Sequence, residues 1–170
     1  MPTDLEGACR QIFSEHRVPD EPPLYVVAST RTDPGQAPSG CENVFVLVPA
    51  PSQDPARPID WSVEGPLVEA RTLARLDATL MPGLRAHIVT SRRTTPDDFT
   101  ARFGNLRGEA FGLSHNFGQV GYFRPHNRHA RYRNLYFVGQ STQPGCGVPM
   151  VLISAELVTQ RIRAERPVRA

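Results

Sequence analysis

A glycine-rich segment late in the sequence has the residue types of a ligand-binding turn. It follows an apolar run at Leu135–Val138 and carries Gly139, Gly145 and Gly147 ahead of Pro149. Glycine permits positive φ and close approach of the backbone to a ligand, and proline suits the first turn of a helix. The free N–H groups and dipole of that turn attract an anionic or electron-rich group. The spacing predicts a buried strand, a binding loop and a helix, although a tight connection without a ligand has the same pattern.

Histidine and cysteine side chains near this segment suggest two other chemistries. His115, His126 and His129 could be read as metal ligands together with Cys146. Their spacing fits no compact zinc motif, so no metal site is predicted. Cys146 lies inside the glycine-rich segment, and the sequence shows no base beside it. We therefore expect Cys146 to serve as a small apolar residue and not as a nucleophile.

The composition excludes several functional classes. All 19 basic residues are arginine, which rules out a lysine Schiff base and a P-loop lysine. A net charge of +2 lacks the dense basic patch of nucleic-acid binding. Three widely spaced cysteines argue against a disulfide framework and favour a cytoplasmic setting. No signal peptide is apparent, and no apolar run reaches the ~18 residues of a membrane-spanning helix.

Helices and strands of mixed order must position these residues. Thr3 and Glu6 have the spacing of a capping box, which predicts a first helix with apolar residues from Leu5 onward. LYVVAS at residues 24–29 and NVFVLV at residues 43–48 are rich in β-branched and aromatic residues. We expect these two runs to form buried strands that pair in antiparallel fashion.

A second helix is predicted from Pro66 to Leu80, followed by a short strand at Ala86–Thr90. One apolar face of that helix would contain Leu67, Ala70, Leu73, Leu76 and Leu80. A third helix should begin at Pro96, with Thr95 as its cap.

The rest of the chain is predicted as irregular backbone leading to a final helix. Phe99 and Phe103 would share a buried face of the third helix, and residues 104–121 would form a glycine-rich binding loop. The last helix is expected from Pro149 to Arg163, with Val151, Leu157, Val158 and Ile162 on one side. We expect a frayed tail from Glu165 onward.

The run NLYFVGQSTQPGCGVPMVL, which starts at Asn134, resembles the C-terminal signature of the bacterial-type phytoene desaturases. That family belongs to the FAD-dependent, amine-oxidase-like flavoproteins. Further blocks resemble the family in its own order: the two strand-like runs, IDW at 59–61, MPGLR at 81–85, IVTSRRTTPDDF at 88–99 and YFRPHNR at 122–128. The resemblance thus covers nearly the whole chain.

This resemblance implies a fold class and a division of the chain. The fold would be α/β (mixed α+β), with a small mixed or antiparallel sheet, helices and a final FAD-contacting strand–loop–helix unit. Residues 1–133 would form part of a substrate-domain-like region, residues 134–165 the C-terminal FAD-binding segment, and residues 166–170 a tail. We expect the family's N-terminal Rossmann part to lie outside these 170 residues, because no G-x-G-x-x-G follows a strand near the start.

The resemblance also implies a chemistry, which is the FAD-dependent dehydrogenation of a C40 polyene. Arg124 would stabilise reduced flavin and His126 would accept a proton, although Arg124 could instead bind a backbone carbonyl or a carboxylate. Gln143 stands where the family commonly has histidine. The residues implied to contact FAD are Gly139, Gln140, Ser141, Gly145, Gly147, Val148, Pro149 and Met150.

The implied partners are a carotenoid polyene and a separately encoded N-terminal FAD-binding half, without which we expect no activity. The intact enzyme is expected in the cytoplasm, in peripheral contact with the inner face of the cell membrane. The alternative is a noncatalytic remnant or interaction module derived from the same flavoenzyme family. In either case, we expect marginal stability and a tendency to associate.

Overall fold

The computed structural model describes residues 2–166, and its regular elements confirm a mixed α/β chain. In chain order they are α1 (Leu5–Phe13), β1 (Tyr25–Ala28), β2 (Val44–Leu47), α2 (Trp61–Thr79), α3 (Pro96–Phe103) and α4 (Val148–Glu165). The chain divides into two compact units, Met1–Thr95 and Pro96–Ala170. The boundary predicted between residues 133 and 134 follows family resemblance and not compactness, so it stays a prediction.

Helix α1 is capped by a residue other than the predicted one. Asp4 has extended backbone, and its carboxylate accepts a hydrogen bond of 2.7 Å from the amide of Gly7. The hydroxyl of Thr3 instead donates to Glu21, at 3.0 Å. The prediction of a capping box by Thr3 and Glu6 is therefore wrong, because Asp4 caps the helix one residue later.

Strands β1 and β2 pair in antiparallel fashion, as predicted, with Tyr25 opposite Leu47 and Ala28 opposite Val44. The end of the pair is closed by the hydroxyl of Thr30, which donates to Glu42 over 2.6 Å. The prediction that these strands are buried is wrong, because their residues are half-buried or exposed. A ribbon of two four-residue strands covers little of its own surface.

Helix α2 begins five residues before the predicted start. Asp60 accepts hydrogen bonds from the amide and hydroxyl of Ser62, at 3.0 and 2.6 Å, and this cap places Pro66 inside the helix. The predicted leucine face is also wrong, since Leu67 and Leu80 are exposed. The buried residues of this helix are Trp61, Gly65, Thr72 and Leu76.

The strand predicted at Ala86–Thr90 is absent from the described residues. A short 3-10 turn at Leu84–Ala86 follows Gly83, whose φ is 85°, and the next residues are exposed and irregular. This segment is fastened to α2 by Glu69, which accepts from the hydroxyl of Ser91 over 2.6 Å and pairs with Arg93. Ion pairing therefore replaces the expected strand pairing.

The second unit opens with α3, which begins at Pro96 as predicted. The rings of Phe99 and Phe103 lie together at 6.1 Å, but Phe103 is exposed, so the predicted buried face is wrong. The irregular run that follows contains short 3-10 turns. At Gly108 a Cβ atom would lie 2.4 Å from the carbonyl oxygen of Pro96, so only glycine fits there.

The apolar run Leu135–Val138 does not form the predicted buried strand. One bridge joins Tyr136 to Arg128, and Val138 is 59% exposed. Extended backbone becomes a strand only beside a partner strand, and within residues 2–166 this run has only that bridge.

Helix α4 is confirmed within two residues at each end. Its buried residues are Ser154 and Val158, whereas Leu157 and Ile162 of the predicted apolar side are exposed. Glu165 is not frayed, because its carboxylate accepts from Arg128 and from the hydroxyl of Tyr136, both at 2.8 Å.

Most of the predicted tail, residues 167–170, lies outside the described residues. Within the part of the chain that is described, no helix combines the length and apolar character needed to cross a bilayer.

Candidate functional site

Two segments of the second unit lie side by side and carry the predicted site residues. We call residues 123–127 the FRPHN segment and residues 139–147 the glycine loop. The carbonyl oxygen of Pro125 accepts from the hydroxyl of Thr142 over 2.7 Å and from the amide of Gln143 over 3.0 Å. These bonds hold the two segments in register without any sheet.

Arg124 is the most buried charged residue in the described chain, with 1% of its surface exposed. Its guanidinium donates to the carbonyl oxygens of Gln119 at 3.0 Å, of Leu113 at 3.2 Å and of Gln140. The carbonyl-binding alternative is therefore what the geometry shows. Charge-assisted bonds to three stretches of loop fix this irregular backbone around one cation.

The Nε atom of Arg124 is different from its other nitrogens, because it is buried without a hydrogen-bond partner among residues 2–166. Buried polar groups are normally paired, so an unpaired N–H in a binding loop calls for an acceptor. A Cβ atom built on Gly145 would lie 3.9 Å from this nitrogen. The free N–H thus borders the inner side of the glycine loop.

A second buried polar centre joins the FRPHN segment to α4. The side-chain amide nitrogen of Asn127 faces the carbonyl oxygens of Phe137 at 3.3 Å and Gln143 at 2.9 Å, and the hydroxyl of Ser154 at 3.1 Å. The same hydroxyl accepts from the amide of Gly139 at 3.1 Å. Ser154 has no exposed surface, so it ties the glycine loop directly to the helix that follows.

His126 stands at the exposed side of the same segment. Its Nδ1 atom lies 3.1 Å from the side-chain oxygen of Gln143. Because an amide oxygen only accepts, this bond places the ring proton on Nδ1 and leaves Nε2 able to accept a proton. Gln143 is itself held by the carbonyl oxygens of Gly121 and Tyr122, each at 3.4 Å.

The glycine loop leads into a helix start that no side chain within the described chain caps. Gly139 and Gly147 have φ values of 110° and 106°, and nothing lies within 4 Å of where their Cβ atoms would be. Uncapped first-turn amides favour an anionic or electron-rich group. Together with Arg124 Nε, these features are suited to holding such a group.

The structure brings the eight predicted cofactor contacts into this one loop and helix start. Among them, Gly145 is buried, and Gly139, Gln140 and Met150 are half-buried. The remaining four are exposed: Ser141, Gly147, Val148 and Pro149.

An exposed aromatic cluster adjoins the FRPHN segment and includes its first residue. We define it as Phe117, Tyr122 and Phe123, whose neighbouring ring centroids lie 5.8–5.9 Å apart. Phe117 is 84% exposed. The Tyr122 ring also lies roughly perpendicular to the His126 ring, with the two ring centroids 5.9 Å apart. An apolar ligand passing over this cluster would lie close to that imidazole.

The expectation that no base lies beside Cys146 is wrong. The Nε2 atom of His115 lies 3.5 Å from its Sγ atom, although 31 residues separate the two in sequence. Metal binding gains no support from this pair, since no cluster of three or more His, Cys, Asp or Glu side chains suited to a metal occurs in residues 2–166.

The contributions of Asn127, Ser154 and His115 were not predicted. Asn127 lies within the YFRPHNR run, but an asparagine beside an arginine and a histidine gives no sign in the sequence of a buried bonding role. Ser154 interrupts an apolar helix pattern, and a polar residue flanked by Leu152, Ile153 and Leu157 could have signalled a buried hydrogen bond. No local pattern links His115 to Cys146, because only the folded loop brings them together.

Curated relatives match nearly the whole chain. A zeta-carotene-forming phytoene desaturase of Myxococcus xanthus is 52% identical over 160 residues, which is 94% of this chain and 30% of that protein. A lycopene-forming phytoene desaturase of a Paracoccus species is 41% identical over 150 residues, which is 88% of this chain and 30% of that protein. A 4,4'-diapolycopene oxygenase of a Methylomonas species is 39% identical over 155 residues, which is 91% of this chain and 31% of that protein. No protein-family model matches the chain.

The chain therefore spans about 30% of the length of the curated relatives it matches. The resemblance predicted from the colinear sequence blocks is confirmed, and this chain is homologous to a C-terminal portion of the bacterial-type phytoene desaturases.

Proposed function

We propose that this chain supplies the flavin-contacting C-terminal portion of an FAD-dependent desaturase that acts on a carotenoid polyene. The observation that carries the proposal is the 52% identity to a zeta-carotene-forming phytoene desaturase across 94% of the chain. Because that match covers 94% of the chain, the similarity and the site geometry support the same chemistry.

The residues of the glycine loop and the helix start fit a flavin. Gly139 and Gly147 leave open space where side chains would stand, and the uncapped start of α4 and the unpaired Arg124 Nε provide N–H donors. The pyrophosphate and ring carbonyls of FAD are acceptors of the matching kind. When bound, FAD would accept the hydride taken from the substrate carbon.

Within this chain, His126 is proposed as the proton acceptor and Arg124 as the residue that stabilises the reduced cofactor. The bond from His126 Nδ1 to Gln143 keeps Nε2 free for a proton from the polyene. Arg124 contributes a fixed positive charge beneath the glycine loop, since carbonyl oxygens and not carboxylates receive its other N–H groups. The aromatic cluster offers an apolar surface to the hydrocarbon.

An N-terminal portion outside these 170 residues is proposed to complete the cofactor site. No G-x-G-x-x-G motif occurs in the 170 residues, and that motif binds the pyrophosphate in dinucleotide folds. We therefore propose that the chain alone neither holds FAD tightly nor desaturates the polyene. Because the substrate resides in lipid, peripheral membrane contact is proposed for the assembled enzyme.

Co-expression tests this assignment. The chain is produced in phytoene-accumulating bacteria with a complementary N-terminal portion of the Myxococcus xanthus relative, and pigment extracts are compared with cells that hold either half alone. Coloured carotenoid is expected only with both halves. Colourless cells in which both halves are stable would refute the desaturase assignment and favour a noncatalytic module.

Cofactor retention provides a second measurement. The chain and the co-purified pair are passed through gel filtration, and flavin absorbance is measured in the protein peak. We expect flavin with the pair and not with the chain alone. Gly147→Ala should lower flavin content, because alanine is strained at φ 106°. Gly40→Ala, at a positive φ in the first unit, is the matched control for strain alone.

A further inference from the structure

Cys146 and His115 form a thiol–imidazole pair that neither the fold nor the proposed desaturation requires. The Sγ atom of Cys146 lies 3.5 Å from Nε2 of His115. The cysteine is half-buried and the histidine is exposed, so small molecules from solvent can reach the pair. A neutral imidazole nitrogen at this distance can accept the thiol proton, which produces the nucleophilic thiolate.

Arg124 provides an independent observation at the same place. A Cβ atom on Gly145 would lie 3.8 Å from His115 Nε2 and 3.9 Å from Arg124 Nε, and no other atom outside the adjoining residues lies within 4 Å of that point. The glycine therefore leaves room next to Cys146 that a base and an unpaired N–H of a buried arginine both border. Such a space suits an oxygen atom that carries negative charge.

We propose that Cys146 is a modification site, with His115 as its base and Arg124 Nε as the donor to the modifying group. The reagent class is a small electrophile that carries or develops anionic oxygen, such as hydrogen peroxide. The thiolate sulfur forms an S–O bond with the peroxide as the O–O bond breaks. Sulfur is oxidised to the sulfenic acid, the peroxide is reduced, and the departing hydroxide takes the proton held by His115 to become water.

This site does not rest on the proposed desaturase function, because it is tested in the chain without flavin, where Arg124 Nε is unpaired within the described residues. Cys9 and Cys41 serve as internal controls. Both are free and exposed, and neither is hydrogen-bonded to a histidine within the described residues. A faster reaction at the less exposed Cys146 would therefore report the His115 contact and not simple access.

The first test measures alkylation of the whole chain by iodoacetamide at pH 7, with each cysteine followed by peptide mass spectrometry. We expect Cys146 to react about tenfold faster than Cys9 and Cys41, since only the thiolate attacks. His115→Asn should bring Cys146 down to the level of those controls, whereas His87→Asn, at an exposed histidine of the first unit, should change nothing. A Cys146 rate that is no faster than the controls, or is unaffected by His115→Asn, would overturn the proposal.

The second test probes the positive charge around Cys146, to which Arg124 contributes, by changing the charge of the reagent. The rate ratio of anionic iodoacetate to neutral iodoacetamide should be about threefold higher at Cys146 than at Cys9 and Cys41, because a fixed cation attracts the carboxylate. Equal ratios at the three cysteines would remove Arg124 from the site. Hydrogen peroxide with dimedone as a trap should label Cys146 in the wild type and much less in His115→Asn. Equal labelling of both proteins would contradict the base role of His115.

Discussion

At the scale of single residues, polar side chains organise the second unit. Arg124, Asn127, Thr142 and Ser154 are buried and are bonded mostly to backbone carbonyl oxygens. A region with little regular structure must satisfy its buried carbonyls with side chains, because no sheet does so. These residues therefore perform the task that strand pairing performs in other folds.

Ser154 offers a direct test of this polar core. Replacing it with alanine leaves the amide of Gly139 and the side chain of Asn127 short of one acceptor. The expected loss is about 2 kcal/mol in the free energy of unfolding, measured by urea denaturation. Thr159→Ala, at an exposed position of the same helix, should change it by less than about 0.5 kcal/mol. Equal losses in the two variants would show that the buried bonds contribute little.

His126 carries the prediction on catalysis. In the pair assembled with an N-terminal portion, His126→Asn should lower polyene desaturation roughly 100-fold, the usual loss when a general base is removed. Flavin content should stay unchanged, because the imidazole bonds to the side chain of Gln143, which is not among the predicted FAD contacts. Turnover close to that of the unmodified pair, measured from the rate of product formation, would exclude His126 as the proton acceptor.

At the scale of elements, the ends of helices are determined by single side chains that local patterns identify imperfectly. Asp4, not Thr3, caps α1, and Asp60 starts α2 ahead of Pro66. Several cap-forming residues stand next to each helix start, and the backbone turn selects which of them reaches a free amide.

Substitutions at the start of α1 distinguish the two possible caps. Asp4→Ala removes the acceptor of the Gly7 amide and should lower the stability of the first unit by about 1 kcal/mol. Asp4→Asn keeps a capping oxygen and should be nearly neutral. Thr3→Ala serves as the comparison and should have a smaller effect than Asp4→Ala. The reverse order in thermal or urea unfolding would restore the capping box of Thr3 and Glu6.

The far end of α4 depends on pH through Glu165. Hydrogen bonds from Tyr136 and then from Arg128 hold the pKa of this carboxyl below its usual value of 4.5. Because the folded-state pKa is depressed, the stabilisation by this carboxylate is complete above the ordinary pKa of 4.5. It is lost as pH falls through the folded-state pKa. Glu165→Gln should therefore lower the melting temperature at pH 7 and have a vanishing effect near pH 2.

The matched control for that helix end is Glu156→Gln, near the middle of α4. The Glu156 carboxylate accepts a hydrogen bond from Gln160 within the same helix. Melting curves of both variants and the parent chain at the two pH values give the comparison. A Glu165→Gln effect of the same size at both pH values would mean that charge at this position does not anchor the helix.

At the scale of the whole molecule, the exposure of large apolar side chains stands out. The described residues include exposed members in both units, among them Phe13, Val89, Phe117, Tyr122 and Val148. Contiguous apolar surface on a chain in water favours association with another surface. The expectation of a tendency to associate stays a prediction, and the aromatic cluster is the place to test it.

A double substitution of the cluster, Phe117→Ser with Tyr122→Ser, should weaken self-association of the chain. We expect the concentration at which oligomers appear in analytical ultracentrifugation to rise roughly tenfold, as contiguous apolar area is lost. Phe13→Ser is the matched control, because Phe13 is 81% exposed and lies in the other unit. A chain that is monomeric at all concentrations before substitution would contradict the prediction.

The sequence by itself determined the family, the pairing of β1 with β2 and the glycine loop followed by α4. These features depend on residue type and local order: β-branched runs, positive-φ glycines and colinear motif blocks. It predicted the wrong apolar face for α2 and a strand at Leu135–Val138, because burial and strand pairing depend on partners that periodicity does not reveal.

Only the tertiary structure decided how the site is held. It bonded Arg124 to carbonyl oxygens from three loop stretches, joined Ser154 to Gly139 and placed His115 beside Cys146. Each of these contacts joins residues that are 5 to 31 positions apart. Hydrogen bonds of that span form wherever the folded backbone brings a donor to an acceptor, so the type and spacing of residues cannot specify them in advance.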